Sequence, residues 1–115
     1  MMNAIRTNEI LKEIRKIEVD REEAELYYKE LLFEEKDAYE DLCGFLRELR
    51  NDYEFCYGDM QLTNLTEEYH NMLLSAEREC SDAIDDIHVE RRRVDAKCES
   101  DIEELRQEIK RLEMM

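Results

Sequence analysis

The sequence predicts an all-α fold, an antiparallel two-helix hairpin that resembles a coiled coil. Its 115 residues include two glycines and no proline, where average usage would give about eight glycines and six prolines. Charged residues make up 43% of the chain, a composition typical of long helices. Apolar residues recur at steps of three and four, which is the period of a helix that buries one face. Turn-rich β folds and glycine-rich nucleotide loops are disfavoured.

The first helix is predicted over about residues 8–57. Its apolar seam is interrupted by Arg21 and Glu35, and a second apolar stripe lies beside it. The seam consists of Ile10, Ile14, Ile17, Ala24, Tyr28, Leu31, Ala38, Leu42, Phe45 and Leu49, and the second stripe of Leu11, Leu32, Tyr39, Leu46 and Tyr53. Together they form a face wider than one neighbouring helix covers, so we expect more than one neighbour.

A turn is predicted over about residues 58–63. Gly58, preceded by Tyr57, suits the position directly after the end of a helix. The backbone there takes the left-handed conformation, which glycine enters without steric cost. Asn64 and Glu67 have the spacing of a capping box at the start of a new helix. The sequence therefore predicts that the chain reverses direction there.

The second helix is predicted over about residues 64–112, and residues 1–115 as a single hairpin. Its apolar residues are Leu65, Tyr69, Met72, Ala76, Cys80, Ala83, Ile87, Val94, Cys98, Ile102, Leu105, Ile109 and Leu112. So thin a hairpin has no sizeable core of its own. We expect it to complete a four-helix bundle with a second copy or a helical partner. One long self-associating coiled coil is the alternative.

The four cysteines form no C-x-x-C pair, so zinc-ribbon and thioredoxin-type sites are disfavoured. With a turn centred near residue 60 or 61, residues whose numbers add up to about 121 should face each other. Cys43 and Cys80 would then lie within about one helical step of each other. A disulfide is one interpretation if the protein leaves the cytosol. We favour the interpretation that the two cysteines are small side chains that fill one layer between the helices.

The charge and the motifs exclude most function classes. A net charge of −15 argues against nucleic acid and anionic membranes as partners, since both attract Lys and Arg. No apolar run approaches the roughly 18 residues of a membrane helix, and Met1–Arg15 lacks the apolar segment of a signal peptide. No nucleophile with a base, no metal-ligand spacing and no phosphate loop is found. We predict a cytoplasmic protein that is not an enzyme and has no metal and no cofactor.

Two Phe-x-x-x-Asp patterns supply the candidate partner-recognition residues, Phe33 with Asp37 and Phe55 with Asp59. On a helix, residues i and i+4 share a face. An aromatic side chain beside an acid can therefore anchor a partner and orient it. A chance match in so acidic a chain is the alternative interpretation.

The whole layout resembles the small helical-hairpin proteins of the Gram-positive type VII (VIIb) secretion system. These are the Trp-x-Gly hairpins and the small partners of LXG toxins. The resemblance rests on two nearly equal amphipathic arms, on acidic character, and on Cys56-Tyr57-Gly58 in the place of Trp-x-Gly.

The resemblance implies a bacterial targeting factor or chaperone that packs against the helical N-terminal domain of an LXG toxin. The resemblance also implies a second small helical protein in the same complex, and export with the partner without a signal peptide. The alternative function is a homodimeric structural coiled-coil scaffold without cargo.

Overall fold

The computed structural model describes the backbone of residues 2–55 and 60–115, and the side chains of residues 3–52 and 60–115. Two helices account for nearly all of them, α1 over Met2–Phe55 and α2 over Met60–Glu113. The predicted all-α helical hairpin is confirmed. A bundle with a second copy or a helical partner stays a prediction. Tyr57 and Gly58, the predicted turn residues, lie outside the described residues.

α1 begins earlier than the pattern predicted, at Met2 and not near residue 8. Contacts with α2 hold these added residues. Asn3 donates a hydrogen bond from its side-chain amide to the Leu112 carbonyl, and Arg6 reaches the carboxylate of Glu108. The helix therefore extends over residues 2–7, which have no apolar period, because Asn3 and Arg6 have partners on the other helix.

α2 also begins earlier, at Met60 and not at residue 64. The predicted capping box is wrong, since Asn64 lies inside the helix. The Thr66 hydroxyl donates to the Leu62 carbonyl one turn back, at 2.7 Å, as a residue within a helix does. Residues 60–63 contain no glycine or proline, so nothing in them opposes helix formation.

The chain divides into two compact units, each built from a stretch of both helices. We call Met1–Lys29 with His88–Met115 the terminal unit, and Glu30–Ile87 the middle unit. In each unit, contacts between side chains show that the two helices run antiparallel.

The terminal unit has an isoleucine core. Ile10, Ile14 and Ile102 are buried against one another, and the half-buried residues packed around them are Ile17, Leu105, Ile109 and Leu112. All seven belong to the predicted apolar seams. In this unit, the three- and four-residue period therefore identified the core correctly.

The middle unit is built around Leu32, Leu46 and Leu73, and here the predicted seam is wrong in part. Ala38 and Phe45, which were expected inside, are exposed. The α-helix has 3.6 residues per turn, so its faces drift by about 20° per heptad against an ideal 3.5-residue repeat. A seam extended by heptads from the start of α1 therefore rotates out of the interface, and residues of the predicted second stripe replace it.

The alignment of the helices also differs from the prediction. In the terminal unit Arg6 contacts Glu108 and Arg21 contacts Asp95, so the numbers of paired residues add up to 114 or 116 and not to about 121. In the middle unit Tyr39 contacts Glu77, which gives 116.

The predicted juxtaposition of Cys43 with Cys80 is therefore wrong, and both are free thiols. In the middle unit Cys80 is close enough to Glu35 for that carboxylate to act on its pKa. The residue level with Cys43 is Leu73 by the same alignment. Polar contacts such as that of Tyr39 with Glu77 fix the alignment, and the apolar period did not reveal them.

Candidate protein-binding surface

No group of three or more His, Cys, Asp or Glu side chains in the described part of the chain is placed to hold a metal ion. His70 belongs to the middle unit and His88 to the terminal unit. Over the same residues, no helix is long and apolar enough to cross a membrane. The surfaces that remain to be considered are those that could bind another protein.

In the terminal unit, ion pairs between the helices involve Arg6, Arg21 and Arg91. The Arg21 guanidinium donates two hydrogen bonds to Asp95, from Nε at 2.6 Å and from Nη2 at 2.9 Å. This bidentate contact holds the pKa of Asp95 below its usual value and raises the pKa of Arg21. Arg91 donates a hydrogen bond to Glu25 across the interface through Nη2. These contacts join the two helices of the hairpin.

The same unit contains an open groove of about 910 Å³ next to these pairs. Arg21, Arg91, Asp95 and Glu25 form part of its lining. These four charges are paired, and the lining also contains Glu22, Lys29, Arg92 and Glu99. The groove has mixed charge and offers no concentrated site for an anion or a cation.

In the middle unit, a side-chain hydrogen bond joins α1 to α2. The Tyr39 hydroxyl donates to Glu77 Oε1 at 3.3 Å. The Cys43 thiol and then the Glu77 carboxylate raise the pKa of Tyr39, because both disfavour the phenolate. Burial raises the pKa of the Cys80 thiol, and the nearby carboxylate of Glu35 adds to the effect. Tyr39 and Cys80 are therefore neutral at ordinary pH and add no charge to this unit.

A row of large apolar side chains on α2 is exposed in the middle unit. Leu62, Leu65, Tyr69 and Met72 are between 48 and 67% exposed. We call these four residues the α2 stripe. Their spacing places them along one face of the helix over about three turns. Leu65, Tyr69 and Met72 belong to the apolar residues predicted for the second helix, and the buried residue beside them is Leu73.

Phe45 of α1 lies on the same side of the unit as the α2 stripe. It precedes the buried Leu46 by one residue, as Met72 precedes the buried Leu73. One residue is a rotation of about 100° about the helix axis, and in antiparallel helices equal rotations of this kind point to the same side of the pair. Phe45 and Met72 also lie nearly level, given the alignment of Tyr39 with Glu77. Phe45, itself 52% exposed, therefore borders the stripe.

Charge is concentrated in the same unit. Residues 30–87 contain 17 acids and 4 bases, a net charge of −13, and the rest of the chain has 15 acids and 13 bases, a net charge of −2. In a helical projection at about 100° per residue, the four bases of the middle unit all lie on the side away from the stripe. They are Lys36, Arg47, Arg50 and Arg78.

Acids border the stripe side of the middle unit. The same projection places eight exposed acids there: Glu30, Glu34, Asp41, Glu48, Asp52, Glu68, Glu79 and Asp86. The described part of this side thus has an apolar centre and acidic edges. Such a surface can bind an apolar helix face, with basic side chains at its margins.

The opposite side of the middle unit contains a groove of about 590 Å³ between the helices. Leu49 and Leu74 form its apolar part, and Arg50, Glu67 and His70 are among its polar residues. The His70 Nε2 atom is buried there and has no hydrogen-bond partner among the described residues. The groove is open to solvent.

Phe33 and Asp37, the first Phe-x-x-x-Asp pair, lie apart from the stripe. Phe33 is 74% exposed and Asp37 is exposed, one turn apart on α1, and Phe33 projects to the side away from the α2 stripe. The side chain of Phe55 and all of Asp59 lie outside the described residues. Recognition by these four residues stays a prediction. Sequence reasoning missed Phe45 and the α2 stripe as surface residues, although their helical spacing was visible, because the spacing does not say which face is buried.

Neither a protein-family model, nor a curated protein, nor a solved structure matches this chain. The function therefore has to be argued from the surface described above and from the layout of the sequence.

Proposed function

We propose that this protein is a non-enzymatic binding module that packs against a helical partner protein. The observation that supports the proposal is the α2 stripe, four large apolar side chains in a row on one helix face. Monomeric proteins rarely expose contiguous apolar surface of this kind, and such patches mark interaction sites. A row at helical spacing suits a second helix, since helix packing pairs ridges of side chains with grooves.

We further propose that the partner is the helical N-terminal domain of an LXG toxin of the type VII secretion system. The support is the resemblance of the layout to the small hairpin partners of these toxins. In this role the protein would act as a targeting factor or chaperone in a bacterial cytoplasm, and export with the toxin would need no signal peptide. Burial of the stripe by the toxin would complete the predicted four-helix bundle.

The test is the mass of the purified protein in solution, alone and after co-expression with the proteins encoded beside it. We expect a stoichiometric complex with a neighbouring toxin that has a long helical N-terminal domain. Deletion of that domain from the toxin is the matched control and should abolish the complex. A stable homodimer that captures no neighbouring toxin would contradict the proposal and support the homodimeric scaffold.

A further inference from the structure

We propose that the α2 stripe and Phe45 form the docking face for one amphipathic helix whose apolar side is bordered by Lys and Arg. This inference rests on the proposed function and adds to it the face that is used and the charge of the partner. It does not depend on the partner being a toxin.

The dimensions of the stripe fit a short helical segment. From Leu62 to Met72 the stripe rises about 15 Å along α2, at 1.5 Å per residue. A docked helix would present anchors at i, i+3 or i+4, and i+7, the usual form of helix-in-groove recognition. Phe45 and Met72 flank the position of the incoming helix from α1 and α2. One helix can therefore contact both helices of the middle unit.

Charge complementarity identifies the partner as basic. Eight exposed acids lie on the stripe side of the middle unit, and the four bases of that unit lie on the other side. Glu68 and Glu79 border the stripe on α2, and Asp41 and Asp52 lie on the same side of α1 as Phe45. An apolar helix bordered by Lys and Arg would meet opposite charge at both edges, and an acidic helix would meet like charge.

The same charges disfavour a second copy of this chain on this face. A two-fold dimer places the same patch of both copies against itself. Through the α2 stripe, it would bring together two middle units that each have a net charge of −13. No basic side chain in the described part of the stripe side is available to offset that repulsion.

The experiment measures binding of two synthetic helical peptides to the full-length protein by fluorescence anisotropy. Both peptides have the same row of leucines, bordered by Lys in one and by Glu in the other. We expect the Lys peptide to bind at least about tenfold more tightly than the Glu peptide at low salt, and the difference to shrink as salt rises. Equal binding of the two peptides, or no binding of the Lys peptide, would overturn the proposal.

A triple variant tests the face. Leu65→Gln, Tyr69→Gln and Met72→Gln together should weaken binding of the Lys peptide by about tenfold or more. The matched control is Ile5→Gln with Leu11→Gln and Leu26→Gln, three side chains of the terminal unit that are 51 to 64% exposed. The control should bind like the wild type. Circular dichroism should show equal helicity in all three proteins, because every replaced side chain is exposed and glutamine favours helices.

A second pair of variants separates local charge from net charge. Glu68→Gln with Glu79→Gln removes two acids beside the stripe. Glu40→Gln with Asp85→Asn removes two exposed acids that project to the other side of the middle unit. The first pair of substitutions should weaken binding of the Lys peptide more than the second pair does. Equal weakening by both pairs would mean that the overall charge attracts the peptide, and would overturn the assignment of the face.

The outcomes distinguish this inference from the proposed function. A complex with a neighbouring toxin that survives the triple variant would overturn the docking face and leave the proposed function standing. Loss of that complex in the triple variant, with the control intact, supports both. Binding of the Lys peptide without capture of any neighbouring toxin supports the docking face and contradicts the proposal that the partner is a toxin. A wild-type dimer that dissociates in the triple variant would show a second copy on the face, and would overturn the basic partner.

Discussion

The terminal and middle units are built from the same two helices and differ in how their surfaces are used. The terminal unit has an isoleucine core, and Arg6, Arg21 and Arg91 pair with acids on the other helix. Its acids and bases nearly balance, with a net charge of −2. The middle unit has a net charge of −13 and exposes the α2 stripe. Both units expose apolar side chains, but the middle unit places four of them in a row on one helix face among acids that few bases offset. A helical hairpin can separate the task of holding its helices together from the task of binding.

The largest expected effect is a truncation in the terminal core. Ile10 is fully buried, so Ile10→Ala removes packed methylene groups and leaves a cavity, and should lower the free energy of unfolding by about 3 kcal/mol. Its exposed neighbour Leu11 is the matched control. Leu11→Ala should cost less than about 1 kcal/mol. Urea titrations followed by circular dichroism measure both, and equal losses would show that the isoleucine cluster is not the core of this unit.

The next effect is the response of the terminal ion pair to acid. Because Arg21 holds the pKa of Asp95 below its ordinary value of 3.8, the folded protein binds this proton less tightly than the unfolded chain. The resulting stability is present above that value and is lost as the pH falls through the lowered pKa. Asp95→Asn should therefore be less stable than the wild type at pH 5, and the gap should narrow toward pH 2. If the difference in the free energy of unfolding between the two proteins stayed constant with pH, ionisation of the Asp95 carboxylate would contribute nothing to stability.

The middle unit should respond to alkali in a comparable experiment. Burial raises the pKa of Cys80 above its ordinary value of 9.0, so the unfolded chain loses the thiol proton at a lower pH than the folded protein. The stability from this difference is present below that value and is lost as the pH rises through the raised pKa. The wild type should therefore lose stability relative to Cys80→Ala above pH 9, as measured by thermal unfolding. Parallel curves for the two proteins would contradict the prediction.

The smallest effect is the opposite response of the two units to salt. Salt screens the repulsion among the acids of the middle unit, and it also weakens the ion pairs of the terminal unit. Hydrogen exchange by mass spectrometry should show more protection at residues 30–87 and less near Arg21 and Asp95 as the ionic strength rises. If protection from exchange changed in the same direction in both units, the proposed electrostatic difference between them would be contradicted.

The sequence was sufficient for the fold class and for the terminal core, because Ile10, Ile14 and Ile102 follow the helical period without interruption. It was not sufficient for the alignment of the helices. The expected turn centre shifted the paired residues by several positions, and contacts such as Arg21 with Asp95 are tertiary. The surface of the middle unit depends on that alignment. Phe45 and Tyr69 fit an apolar period as well as Leu46 and Leu73 do, and the drift of the helix faces decides which of them is buried.

The place of Arg21 within an apolar seam has a consequence for the correctness of folding. A hairpin shifted by one heptad keeps the spacing of its apolar residues, so hydrophobic burial alone discriminates poorly against it. In the terminal unit, such a shift would move Arg21 from Asp95 to the level of Ile102 or of His88. The misaligned pair would then lose the two hydrogen bonds between Arg21 and Asp95. Because the two side chains are 36% and 43% exposed, the loss is small, as it is for other ion pairs that are open to solvent. The ion pair therefore favours the observed alignment by a small amount that hydrophobic burial does not supply.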